Sequence, residues 1–70
     1  MNVKEFRVAL VRADLSQNEL ADRIGMSRQS LSFKTNGKRE FKLSEIKKIS
    51  DVLGLSSEDV DVIFFGKEVN

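Results

Sequence analysis

The stretch Gln17 to Gly37, QNELADRIGMSRQSLSFKTNG, decides how this chain is read. Ser16 stands just before it and, with Glu19, forms the S-x-x-E pattern of a capping box that opens a helix. Leu20, Ala21 and Ile24 give that helix an apolar face. Gly25 stops it, because a chain turning here needs a positive φ that other residues resist. Ser27 caps the next helix, expected over Arg28–Asn36, and Gly37 ends it. Ala21, Gly25 and Leu31 thus have the spacing of a helix-turn-helix. Ala sits where the second helix approaches closely, Gly sits at the turn, and Leu anchors the second helix. The polar face of that second helix is left at the surface.

Working outward, helix signals recur and no segment shows strand alternation. A first helix is expected from about Val3 to Ala13, capped by Asn2, with Val3, Phe6, Leu10 and Ala13 on one stripe. Asp14 ends it, since Asp tolerates a turn conformation. Ser44 is expected to cap a fourth helix over about Glu45–Leu53, with Ile46, Ile49, Val52 and Leu53 inward and Gly54 as terminator. Ser56-Ser57-Glu58-Asp59 offers another capping box, for a short fifth helix through about Phe65. Gly66 closes it, and the last four residues are expected to fray. Only Lys38 to Leu43 lacks a helix period. The expected fold is all-α, a compact five-helix bundle making one domain over residues 1–70, with the helix-turn-helix at about 17–36.

Composition narrows the function. The chain has no Cys and no His. Usual zinc sites and Ser/His or Cys/His catalysis are therefore out of reach. The remaining carboxylates are too few and too poorly spaced for a metal site, and Asp59 and Asp61 do not converge on one helical face. No enzyme activity, metal or cofactor is expected. A chain without Cys suits a reducing compartment, so a cytoplasmic protein is expected. No apolar run approaches the ~20 residues of a membrane span, and the start does not read as a signal peptide.

The net charge of +1 hides an uneven distribution. Residues 23–48 carry eight basic and two acidic side chains, a local +6, while residues 1–22 sum to −1 and residues 49–70 to −4. A basic middle over and just beyond the third helix has the form of a nucleic-acid footprint.

At about 100° per residue, Arg28, Gln29, Ser32 and Phe33 share the face opposite Leu31. That face is expected to enter a DNA major groove and contact bases. Arg suits the two acceptors of guanine, Gln suits the acceptor and donor of adenine, and Ser bonds many partners. Phe33 can pack against a thymine methyl; otherwise it lies under the neighbouring loop, against Phe41 or the residues before it. Phosphate contacts are expected from Gln17 at the start of the second helix, from Ser27 at the start of the third, and from Asn36, Lys38, Arg39 and Lys42 beyond it.

Gln17, Leu20-Ala21, Ile24-Gly25, Ser27, Leu31, Asn36-Gly37-Lys38 and the run Leu43 to Leu55 together resemble the phage Cro/repressor-type helix-turn-helix family, the lambda repressor-like DNA-binding domains. The stretch Arg39 to Leu55 further looks like small regulators of Gram-positive phages and prophages. The resemblance implies a five-helix fold, dimeric binding to operator DNA, and repression. It places Arg28, Gln29, Ser32 and Phe33 at base-facing positions and Gln17, Asn36 and Lys38 at backbone contacts. Two features depart from it. Phe33 stands where a polar or basic residue is commoner, and Lys34 and Thr35 lie on the inner side of the third helix, where such domains more often put an apolar residue. Lys34 is expected to lay its stem along the core and surface its ammonium.

The expected function is therefore a sequence-specific, Cro-like transcriptional repressor, working as a homodimer. Val60, Ile63 and Phe64 are expected to face the core, leaving Val62 and Phe65 partly exposed as the dimer or partner interface. The alternative is a phage antirepressor or modulator that binds a repressor protein through the same fold.

Overall fold

Capping and termination place five helices along the chain in this computed structural model, which describes residues 1–67. They are α1 (Val3–Arg12), α2 (Gln17–Ile24), α3 (Arg28–Thr35), α4 (Leu43–Leu53) and α5 (Ser57–Phe64). Among the described residues there is no strand. Asn2 caps α1 by accepting from the Glu5 amide at 3.1 Å. Ser16 and Glu19 bond reciprocally at 3.0 Å each and open α2. Ser56 and Asp59 do the same at 3.1 Å for α5. α1, α3 and α5 each end one residue earlier than expected.

The cap of α4 is a correction. Lys42, not Ser44, occupies the cap position, and α4 starts at Leu43. Glu45 decides this: its carboxylate accepts the Lys42 amide at 2.8 Å. Lys42 has no side-chain acceptor to return the bond. The acidic residue in the first turn thus does alone what a serine hydroxyl was expected to do, and Ser44 stays exposed.

Helix ends follow one device. A left-handed residue (Asp14, Gly25, Gly37 or Gly54) follows each of α1 to α4. The next amide then donates back into the last turn: Leu15 to Leu10, Met26 to Ala21, Lys38 to Phe33 and Leu55 to Ser50, at 2.9–3.0 Å. These bonds satisfy carbonyls that a helix end leaves orphaned.

Phe6, Leu20, Leu31 and Ile49 are the largest fully buried side chains, one from each of α1 to α4. Ala9, Leu10, Ala21, Ile24 and Ile63 complete the central cluster. α2 packs on α3 and α4, α1 on α4 and α5, and α4 on α5. α3 is thus held mainly along one side, and its other side is free. As expected, Ile63 is buried, while Val60 and Phe64 are half-buried. The Asn2 amide donates to the Ile63 carbonyl at 2.7 Å, so the start of α1 lies beside the end of α5. Lys67 is tied back by its amide to Asp61 at 3.1 Å. The rest of the tail expected to fray lies outside the described residues. None of the helices described is long and apolar enough to cross a membrane.

Candidate nucleic-acid interface

The inner side of α3 is Leu31, Lys34 and Thr35, all buried. Arg28 and Gln29 are exposed, and Ser32 and Phe33 are half-buried on the same side. The four side chains expected to face bases therefore do share one face. Asn36 joins them, donating from Nδ2 to the Ser32 hydroxyl at 3.4 Å. That long bond gives the short Ser32 a partner it exchanges easily.

Arg28 carries a contact that the sequence reading missed. Its Nη2 donates to Asp22 Oδ2 at 3.0 Å, with both side chains about 60% exposed. An ion pair this open contributes little to stability. Asp22 lies on α2 and Arg28 opens α3, so the pair spans the turn at Gly25. The two are six residues apart across a non-helical turn, where helical i, i+4 spacing gives no warning.

The expected phosphate-facing residues fall on either side of this face. Gln17 is the first residue of α2 and is half-buried. Ser27 accepts the Ser30 amide at 3.0 Å, so its hydroxyl is engaged as the α3 cap. Asn36, Lys38, Arg39 and Lys42 are all exposed beyond α3. Lys38 Nζ lies 5.5 Å from the Phe33 ring centroid, and the Arg39 guanidinium carbon lies 5.9 Å from it. Phe33 therefore meets the residues after Gly37, one of the two loop contacts open to it. Phe41 takes a different partner, the Phe64 ring, edge-on at 5.2 Å and 79°.

Lys34 is a second correction. Its ammonium does not reach solvent as expected; the side chain is only 9% exposed and bonds both Glu45 carboxylate oxygens at 2.6 Å. The same carboxylate holds the Lys42 amide, so Glu45 joins α3, the loop and the start of α4. Burial pushes the Glu45 carboxyl up. The bond to Lys34, the bond to the Lys42 amide and the charge of both lysines outweigh that and hold it below the usual range. Glu45 is the positioning residue that sequence reasoning missed. A buried lysine demands a partner, and that demand was the available signal.

The other expected interface residues separate. Val62 is half-buried and lines a cleft with Val8, Arg12 and Leu55. Phe65 is 59% exposed and lines a cleft with Met1 and Phe41 on another side of α5.

This arrangement offers charge-assisted and amide hydrogen bonds along the exposed side of α3, with cations alongside. The model of a family described as helix-turn-helix, of the Cro type, matches residues 3–60. No curated protein matches the chain. Nor does any solved structure.

Proposed function

Because the chain belongs to the Cro-type helix-turn-helix family of DNA-binding regulators, we propose that it is a Cro-like repressor that places α3 in the major groove of an operator. The observation that carries this is the surface of α3, where Arg28 and Gln29 are exposed and Ser32 is half-buried beside them, while Leu31, Lys34 and Thr35 are buried. Arg28 reads guanine and Gln29 reads adenine, each through paired major-groove contacts. Ser32 borders the same base edges, and Phe33 stands at the rim of that face, beneath Lys38 and Arg39. The Asp22 pair is weak enough for Arg28 to leave or to share. Gln17, Ser27, Asn36, Lys38, Arg39 and Lys42 face phosphates and set the register without carrying sequence information.

Selection from a random-sequence duplex pool at two salt concentrations tests this. The expected result is a recurrent half-site, with Arg28→Ala or Gln29→Ala each losing about 1–3 kcal/mol of discrimination at one base pair. Binding that is non-selective and steeply salt-dependent in the wild type would sink the reading.

We further read the protein as a homodimer that joins two half-sites about 34 Å apart. The support is Phe65, 59% exposed, which lines one cleft with the exposed Met1.

A further inference from the structure

Like α5, whose left-handed Gly66 is followed by Lys67, α3 departs from the pattern of α1, α2 and α4. After α1, α2 and α4, the residue following the left-handed turn is Leu15, Met26 or Leu55, and each packs on the core. An apolar contact at this place ordinarily closes such a helix end. After α3 the residue is Lys38. Its amide makes the same bond, to the Phe33 carbonyl at 2.9 Å. Its ammonium then lies over the Phe33 ring, where the others bury a side chain. Arg39 reaches the same ring. Among the described residues Phe33 is neither in the core cluster nor packed against it. Core burial therefore does not account for an aromatic here, whereas the two cations do.

We propose that Phe33 is a positioning residue: its ring holds Lys38 and Arg39 in place to grip the phosphate backbone of duplex DNA beside α3. This rests on the DNA-binding reading above. A ring face attracts a cation through its quadrupole and leaves the N–H groups on the far side free to donate. Long basic side chains lose rotamer freedom when a phosphate immobilises them. With the ring present, much of that loss occurs on folding instead of on binding.

The test measures affinity for a selected operator and for a random duplex, in wild type, Phe33→Leu, Phe33→Tyr and Lys38→Gln/Arg39→Gln. Phe33→Leu keeps apolar bulk and removes the ring. It is expected to weaken both duplexes by a similar factor, about three- to tenfold, and to leave the selected bases unchanged. Phe33→Tyr restores the affinity, and Phe33→Leu has no further effect once both cations are gone. In the free protein, ring-current shifts of the Lys38 side-chain protons are expected to vanish in Phe33→Leu. A change of base preference at one position would instead make Phe33 a reader and overturn the proposal. So would unchanged affinity in Phe33→Leu, or Lys38 protons that show no ring-current shift. Wild-type protein that binds no DNA overturns the DNA reading and this role with it; a DNA-binding wild type with a neutral Phe33→Leu overturns this role alone.

Discussion

At Gly25 the backbone holds φ at +71°, and a Cβ added there would meet nothing within 4 Å. The requirement for glycine is therefore torsional and not one of space. Gly25→Ala is expected to cost about 1–2 kcal/mol, the ordinary penalty of a left-handed L-residue, and Gly25→Asn less, since Asn tolerates this region. Urea melts measure both; a loss well beyond that range for Ala would mean that packing is also involved. Asp14 makes the same turn at φ +57° with a side chain. Arg28 belongs to this scale too. Asp22→Ala is expected to leave the melting curve nearly unchanged, because an exposed pair contributes little, and to strengthen binding to random duplexes by removing a negative charge beside the groove.

Elements are held to one another by the Lys34–Glu45 bridge, which fixes the end of α3 against the start of α4. Glu45→Gln keeps an acceptor for the Lys42 amide, since Gln serves a capping box as Glu does. It leaves a buried ammonium without its counter-charge. A loss of about 3 kcal/mol is expected. Lys34→Met removes the charge that needs the partner and is expected to be near neutral or stabilising. Denaturant melts of the two variants decide between a pair that stabilises and one that only must not be broken. The pH dependence follows from the same carboxylate. Its folded pKa lies below the ordinary carboxylate value, so the folded state binds fewer protons across that window than the unfolded chain. The contribution is complete above the ordinary value and is lost as pH falls through the folded one. Between pH 7 and pH 3, Glu45→Gln is expected to start lower and to fall less than wild type. Equal slopes would remove this carboxylate from the acid response.

Across the whole molecule, 33 × 25 × 20 Å, the reading face lies on α3 and the exposed Phe65 just beyond α5, in a cleft that Arg39 also lines. Phe65→Lys replaces a side chain that is 59% exposed, so the fold is expected to hold within about 0.5 kcal/mol. Sedimentation is expected to show a dimer in wild type and a monomer in this variant, with weaker operator binding. A wild type that remains monomeric at high concentration would end the dimer reading. Much of this layout was legible. The five helices follow from caps and apolar periods, and the outward set on α3 follows from the inward Leu31. The start of α4 was misread because its cap depends on Glu45, which reaches back along the chain instead of being reached by a hydroxyl.

What the sequence determined by itself is local. Capping boxes at Ser16 and Ser56, left-handed turns at Asp14 and Gly25, and the helical period along Gln17 to Gly37 are interactions between residues at most a few positions apart. Tertiary structure alone decided the rest. Lys34 finds Glu45 eleven residues away, across Lys38 to Leu43, where no periodic pattern sets the path. Phe41 meets Phe64 from another element, and Arg28 meets Asp22 only once the turn has closed. Each of these depends on where two separately formed pieces of backbone come to rest, and packing of the shared core sets that.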